Sequence, residues 1–155
     1  MNAEFLRYIN HLDAQVDQLL GAPVYRYDDL PRGIPKSGIY LFSEGEINLY
    51  VGRSNRIRGR LSSHCRDSSR HNAASFAFRI ARQRTGRIEA TYNQKGSRAA
   101  LSQDPEFSIA FREAKEFLRS LNIRFVEENH QTTQALLEIY AAVRLRTPYN
   151  DFATH

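Results

Sequence analysis

The sequence predicts an α+β fold, within the broad α/β class, in which a small three-stranded antiparallel sheet is flanked by helices. A hairpin pattern spans residues 38–52, a third strand pattern spans 122–127, and helical periodicity occurs before, between and after them. With 155 residues, the chain is long enough for one hydrophobic core but too short for two complete ones. We therefore expect a single domain, residues 1–155, with an N-terminal helix and a mostly helical insertion at 67–122.

The N-terminal helix is predicted over residues 3–20. Its apolar residues recur at spacings of three and four, and Asn2 is suited to capping its first turn. Gly21 and Pro23 end the pattern, and residues 24–37 have the composition of an extended connector. The predicted apolar face consists of Phe5, Ile9, Leu12, Val16, Leu19 and Leu20.

The hairpin consists of two apolar runs, residues 38–43 and 47–52, separated by a short loop that contains Gly45. A turn centred on Gly45 predicts that Tyr40 faces Tyr50. The same register places the aliphatic residues on the opposite side of the sheet, towards the core, because side chains alternate along a strand. The other predicted pairs are Ile39 with Val51, Leu41 with Leu49, and Phe42 with Asn48.

Helices are predicted in three places soon after the hairpin. Asn55 is suited to capping a helix over residues 56–65, and a helix over 73–85 should end at Gly86. A third helix should begin at Asp104-Pro105, because proline suits the first helical position. Its predicted apolar face consists of Phe107, Phe111, Ala114, Leu118 and Leu121.

The remaining segments carry weaker patterns. Residues 88–92 fit a short strand, and residues 93–97 fit a loop. Thr132 or Thr133 is suited to capping a final helix that continues to about Leu145.

Positive charge is concentrated in residues 53–84. This segment contains nine arginines and one acidic residue, Asp67, for a formal charge of +8, whereas the rest of the chain sums to −3. An arginine cluster on an otherwise slightly acidic protein is typical of phosphate or nucleic-acid binding. The alternative is a solubilising helix face, but such a face usually mixes lysine with glutamate. The nine are Arg53, Arg56, Arg58, Arg60, Arg66, Arg70, Arg79, Arg82 and Arg84.

The composition also disfavours certain classes of protein. The single cysteine, Cys65, excludes an internal disulfide and a zinc site built from cysteines. The sequence has no apolar run near the roughly 18 residues of a membrane span, and its first residues lack the pattern of a signal peptide. We therefore expect a cytoplasmic protein with no membrane partner.

The candidate site begins with two tripeptides, Gly38-Ile39-Tyr40 and Tyr50-Val51-Gly52. Arg53-Ser54-Asn55 follows at once, and Arg60 and His64 share one face of the next predicted helix.

Two further residues complete this set: Glu138 in the last apolar helix and Asn150 shortly after a proline. In this order and spacing, the residues resemble the GIY-YIG nuclease family, with valine replacing the middle isoleucine. The resemblance covers about residues 38–66 and 123–150.

The resemblance implies a DNA endonuclease that uses one Mg²⁺ or Mn²⁺ ion to hydrolyse a phosphodiester bond. The residue types suit this reaction, because Glu138 offers hard oxygens to Mg²⁺ and Arg60 offers a planar, permanently charged fork to phosphate. A free phenol titrates at about pH 10, so a tyrosine that acts as a base needs a lowered pKa. Arg60, His64 and the metal would favour such a lowering. The sequence leaves open which tyrosine is the base. The implied catalytic residues are Tyr40, Tyr50, Arg60, His64, Glu138 and Asn150, with Glu138 as metal ligand.

Supporting roles fall to arginines and glycines of the same segment. Gly38 and Gly52 are expected to meet backbone requirements, either a close approach in the sheet or a conformation that other residues resist. His64 orients a phosphate, relays a proton or only completes a local network, and Asn150 is as well suited to a structural role as to a catalytic one. The expected substrate-binding residues are Arg53, Arg56, Arg58 and Arg66.

Other functions remain open from the sequence alone. The main alternative is a non-cleaving nucleic-acid-binding or regulatory module on the same scaffold. RNA cleavage is another, since Phe76 and Phe78 lie between basic residues. A homodimer would suit the cutting of both strands, and the biological setting (repair, restriction, homing or toxin action) is not indicated.

Overall fold

The computed structural model describes residues 1–87 and 97–153. The predicted strand at 88–92 and most of the predicted loop at 93–97 lie outside these described residues. In the described chain the elements are α1 Ala3–Ile9, α2 Leu12–Leu20, a 3-10 turn Tyr27–Asp29, β1 Gly38–Glu44, β2 Ile47–Ser54, α3 Ile57–Cys65, α4 Ser75–Thr85, α5 Arg98–Gln103, α6 Pro105–Ser120, β3 Asn122–Glu127 and α7 Gln131–Leu145. The α+β class is thus confirmed.

The chain divides into two compact units. The first comprises residues 1–60 and 121–150, and the second comprises 61–120 with the residues after 150. The boundary falls within α3, between Arg60 and Leu61.

The sheet belongs to the first unit. In the described chain it has three strands in the order β2-β1-β3, and both pairs are antiparallel. Six consecutive residues of β1, Gly38 to Ser43, are buried, as expected for a central strand. The strand at 122–127 is confirmed, and it pairs Tyr40 with Phe125 and Phe42 with Ile123.

The predicted hairpin register is wrong by two residues. Tyr40 pairs with Gly52 rather than with Tyr50, and Phe42 pairs with Tyr50. The turn is one residue shorter than predicted, because Glu44 already pairs with Ile47.

A β-bulge supplies the second shift. Ser43 pairs with Asn48 whereas Phe42 pairs with Tyr50, so Leu49 is the additional residue on β2. The shorter turn and the bulge each shift the pairing by one residue. Because side chains alternate between the two faces of a strand, a total shift of two residues leaves each side chain on its predicted face. The aliphatic and tyrosine faces therefore stay separate even though every predicted partner changes.

The core of the first unit lies on the aliphatic face of the sheet. Ile39, Leu41 and Val51, which were predicted to point towards the core, are fully buried. Helices α2 and α7 and strand β3 supply the remaining members: Leu12, Val16, Leu19, Val126, Leu137 and Ala141.

The N-terminal helix is interrupted, which corrects the single helix predicted over 3–20. Asn2 caps α1 as expected, since its side chain accepts a hydrogen bond from the Phe5 N–H at 3.0 Å. The helix then breaks at Asn10-His11, two residues with modest helix propensity. Within Ala3–Ile9, all of which the structure describes, no residue is fully buried. Helix α2 supplies the buried residues of this apolar face, and from α1 the partly buried Ile9 packs against the same core.

Two predicted helix caps are also wrong. The Asn55 side chain hydrogen-bonds to Gln131 and Gln134, whereas Ser54 Oγ accepts from the Arg56 N–H at 2.9 Å before α3. At α7, His130 Nδ1 accepts from the Thr133 N–H at 3.4 Å, so the helix begins before Thr132.

The second unit contains the predicted helical insertion. Helix α4 ends at Gly86, whose φ of +73° is the left-handed conformation that glycine favours. Asp104 caps α6 by accepting from the Glu106 N–H at 3.0 Å, next to Pro105 as predicted. Helix α5 was not predicted. The buried residues that pack together here are Phe78, Ala81, Leu101, Phe107 and Ala110.

Candidate active site

An open cleft of about 410 Å³ in the first unit brings together residues from β1, β2, α3 and α7. Tyr40 comes from the central strand, Tyr50 and Arg53 from the edge strand, Arg60 from α3 and Glu138 from α7. Among the described residues, the cleft is lined by Tyr40, Tyr50, Arg53, Ser54, Asn55, Arg60, Gln134 and Glu138.

Tyr40 and Gly52 form a close pair across the two strands. A Cβ atom at position 52 would lie 2.2 Å from both Cζ and the hydroxyl oxygen of Tyr40. The phenol therefore occupies the space that any side chain at position 52 would need. The Tyr50 ring lies beside it, with ring centroids 6.4 Å apart and planes inclined by 45°.

Gly38 is constrained by the other neighbour of β1. Its φ is +155°, and a Cβ atom there would lie 2.0 Å from the carbonyl oxygen of Val126 on β3. The backbones of β1 and β3 can approach this closely only because position 38 has no side chain.

Burial favours the protonated form of the Tyr40 phenol. The side chain is 1% exposed, and this burial, followed by the adjacent Tyr50, raises the pKa of the Tyr40 phenol well above its ordinary value. Arg60 acts in the opposite direction, as expected, through its charge and a hydrogen bond, but burial outweighs it. The neutral phenol is therefore the favoured form of Tyr40 in this cleft.

Glu138 is held at the cleft by Arg53. The Arg53 Nε donates to Glu138 Oε2 at 3.2 Å, and the two side chains are 41% and 22% exposed. Burial raises the pKa of the Glu138 carboxyl, while the positive charges of Arg53 and Arg60 oppose that rise. This partner was not predicted, because residues 53 and 138 are far apart in the sequence.

The donor set around Glu138 fits a hard divalent cation. Mg²⁺ commonly binds proteins through one or two carboxylates while retaining several waters. No group of three or more histidine, cysteine, aspartate or glutamate side chains that could hold a metal occurs in residues 1–87 and 97–153. A cation here would therefore be held by the Glu138 carboxylate together with neutral oxygens and water, which suits Mg²⁺ or Mn²⁺ better than zinc.

Asn150 fastens the chain to β2 at Val51, the residue that follows Tyr50. Its Oδ1 accepts from the Val51 N–H and its Nδ2 donates to the Val51 carbonyl, each at 2.8 Å. The hydroxyl of Thr147 donates to Asn150 Oδ1 at 2.7 Å. These contacts support a structural role for Asn150 rather than a catalytic one.

His64 belongs to the second unit. The side chain is fully buried, and its ring packs edge-on against Phe76 with centroids 6.3 Å apart. Helix α3 does carry Arg60 and His64 one turn apart, as predicted.

The expected substrate-binding arginines occupy different surroundings. Arg53 lines the cleft, and Arg66 is exposed in the second unit. Arg56 and Arg58 border a smaller hollow of about 240 Å³ in the first unit. There they are joined by Arg32 and Lys36, two cations that the sequence analysis did not single out because they precede the arginine-rich segment.

Other lining residues were also missed. Ser54 and Asn55, which follow the second tripeptide, and Gln134 on α7 line the cleft without having been predicted as site residues. The position of Gln134 was predictable from its spacing to Glu138. Residues four apart lie on the same face of a helix, so Gln134 lies beside Glu138.

Two phenols, guanidinium groups and a carboxylate around one open cleft suit the binding of a phosphate ester. A comparison with protein families is in agreement, because residues 36–150 match the family model of the GIY-YIG catalytic domain. The chain belongs to the GIY-YIG family, which consists of nucleases. Comparisons with curated proteins and with solved structures gave no match.

Proposed function

We propose that this protein is a DNA endonuclease that hydrolyses phosphodiester bonds with one bound Mg²⁺ or Mn²⁺ ion. One observation carries the proposal: the Glu138 carboxylate, the Arg60 guanidinium and the phenols of Tyr40 and Tyr50 line the same cleft. Hydrolysis of a phosphodiester needs fixed positive charge, a placed water and stabilisation of the departing oxygen. These side chains can supply the first two requirements.

The chain's own residues have distinct parts in this proposal. Arg60 binds non-bridging phosphate oxygens through its planar fork and keeps its charge at every relevant pH. The buried Tyr40 hydroxyl stays protonated and orients the reacting groups by donating a hydrogen bond. Tyr50, which is only partly buried, reaches the cleft and positions the attacking water.

Glu138 holds the metal ion, with waters completing the coordination. The bound cation supplies Lewis-acid stabilisation of negative charge on the phosphate and the leaving oxygen. The Arg53 guanidinium, which pairs with Glu138 at the cleft, would also contact a phosphate bound there. Arg32, Lys36, Arg56 and Arg58 extend the positive surface for the nucleic-acid backbone.

The Arg53–Glu138 ion pair also favours a second candidate function. A carboxylate that already has a cationic partner does not require a metal, and the same scaffold would then bind nucleic acid without cutting it. The two functions differ in one measurable property, which is metal-dependent cleavage.

Cleavage of supercoiled plasmid tests the proposal. We expect nicked and linear products with Mg²⁺ or Mn²⁺, and none after addition of EDTA. Linear, branched and single-stranded DNA and a single-stranded RNA, assayed in parallel, identify the preferred substrate. Preferential cutting of the RNA would overturn the assignment to DNA. A wild-type protein that binds DNA but leaves every substrate intact with both metals would instead establish the non-cleaving module.

A further inference from the structure

Gln134 is a buried polar side chain at the proposed metal site. It lies on α7 one helical turn before Glu138, and both residues line the cleft. The residue is only 1% exposed. A polar group buried to this degree needs hydrogen-bond partners, and their identity fixes the orientation of its amide.

The amide nitrogen of Gln134 is fully occupied by hydrogen bonds to the protein. Nε2 donates to the backbone carbonyl of Glu128 at 3.0 Å and to Asn55 Oδ1 at 3.2 Å. Because a backbone carbonyl can only accept, the atom facing Glu128 must be the nitrogen. The amide oxygen Oε1 is thereby turned to the other side, and it accepts no hydrogen bond from a residue within 1–87 or 97–153.

The partners of Gln134 are themselves held in place. Asn55 and Gln131 form a reciprocal amide pair, with hydrogen bonds of 2.9 and 2.8 Å. The Glu128 carboxylate accepts from Gln15 Nε2 at 2.7 Å. A side chain with both N–H groups bonded to fixed acceptors has little freedom to rotate, so its oxygen is preorganised.

We propose that Gln134 Oε1 is a second protein oxygen for the divalent cation bound by Glu138, and that the pair holds the cation before DNA arrives. This inference rests on the proposed metal-dependent function. Amide carbonyl oxygens are accepted ligands of hard cations, and a neutral oxygen complements a single carboxylate without adding negative charge. Glutamate would be a poor substitute, because a second carboxylate oxygen would face the Glu128 carbonyl and Asn55 Oδ1.

Nuclear magnetic resonance of the DNA-free protein tests the inference directly. Side-chain amide signals of Gln134, Gln131 and Gln15, and the carboxyl signal of Glu138, are followed in ¹³C,¹⁵N-labelled protein during titration with MgCl₂. We expect Mg²⁺ to cause a saturable shift of the Gln134 Nε2 signal that is larger than the shifts of the Gln131 and Gln15 signals. In the Glu138→Gln variant, Mg²⁺ should no longer shift the Gln134 signal. An unmoved Gln134 signal overturns the inference, whether the Glu138 carboxyl signal responds to Mg²⁺ or not.

Binding of Mn²⁺, measured by electron paramagnetic resonance, provides a second test. Gln134→Met keeps the length of the side chain and removes the oxygen, and should weaken Mn²⁺ binding by roughly 10- to 100-fold. Gln18→Met, an exposed substitution on α2, is the control and should change the dissociation constant less than about 2-fold, with folding of both variants verified by circular dichroism. Equal dissociation constants for Gln134→Met and wild type overturn the inference.

The two proposals fail in distinguishable ways. Mg²⁺-dependent cleavage by a wild-type protein with an unmoved Gln134 signal overturns the role of Gln134 alone. Absence of both cleavage and metal binding overturns the proposed function as well.

Discussion

The side-chain amide of Asn150 pairs with both backbone groups of Val51, the N–H and the carbonyl, at 2.8 Å each. In the described chain, β2 lies at the edge of the sheet, so the Asn150 amide takes the place of one residue of a neighbouring strand. Val51 lies between Tyr50, which lines the cleft, and Gly52, which accommodates Tyr40. A residue near the end of the described chain thus fixes the strand on which the site depends.

Asn150→Ala should therefore lower both stability and cleavage. The substitution leaves the Val51 N–H and carbonyl without these partners, and we expect a loss of about 1–3 kcal/mol in the free energy of unfolding. Urea denaturation measures this loss. The matched control is Asn129→Ala, because Asn129 is exposed and its amide bonds only to the nearby Glu127 within the described residues. If the two variants unfold at the same urea concentration, Asn150 does not anchor β2.

Gly52→Ala should disturb the site through a steric clash. The new methyl group would overlap Tyr40, and overpacking of a buried position typically costs about 1–3 kcal/mol. Gly33→Ala is the control, since a Cβ atom there meets nothing within 4 Å. We expect a lower denaturation midpoint and reduced plasmid cleavage for Gly52→Ala alone. Wild-type stability and cleavage in this variant would contradict the packing of Tyr40 over position 52.

Tyr40 should make the protein sensitive to alkaline pH. Its pKa is raised in the folded state by burial first and by Tyr50 second, so the neutral phenol is favoured in the native protein. The associated stability is complete below the unfolded pKa, near 10.0, and is lost as the pH rises towards the folded pKa. With EDTA present, the melting temperature of wild type should fall relative to Tyr40→Phe between about pH 9 and pH 11. If the melting temperatures of the two proteins change with pH in the same way, burial does not oppose the ionisation of Tyr40.

Arg60→Ala should reduce cleavage on the order of 100-fold, because it removes a fixed charge from the cleft. Arg56→Ala and Arg79→Ala remove arginines of the same basic segment that do not line the cleft, and these variants should lose less of their cleavage rate than Arg60→Ala. Initial rates of plasmid nicking distinguish the variants. If all three variants lose a similar part of their nicking rate, Arg60 contributes only as one charge of the basic segment.

The strands and most of the helices follow from local sequence patterns. Asp104-Pro105 begins α6 and Gly86 ends α4, because capping and turn chemistry act over a few neighbouring residues. The strand at 122–127 was likewise predictable from composition. A hydrophobic pattern also assigns Ile39 and Val51 to the core whatever their exact partners.

The hairpin register was not predictable in the same way. A symmetric turn at Gly45 is the simplest reading of the sequence, but the true turn is shorter and Leu49 forms a bulge. Bulges depend on the fit of the whole sheet against its core, which a local pattern does not contain.

Hydrogen bonds between residues far apart in the sequence explain why the other features of the site were not predicted. Arg53 with Glu138, and Asn55 with Gln131 and Gln134, join segments separated by more than 70 positions. The depth of burial of Tyr40 is equally a tertiary property. The single-domain prediction, a homodimer and the catalytic role of His64 stay predictions.

Cleavage of supercoiled plasmid by Glu138→Gln, measured beside DNA binding, tests the central claim most directly. Glutamine keeps the shape of the side chain but loses the charge that would hold the cation, and phosphate contacts elsewhere should preserve DNA affinity. Glu46→Gln, an exposed substitution in the hairpin turn, is the control for the change in charge. We expect Glu138→Gln to bind DNA within about 3-fold of wild type and to produce no nicked plasmid at any Mg²⁺ concentration. Nicking by Glu138→Gln at the rate of Glu46→Gln would contradict the assignment of Glu138 as the metal ligand.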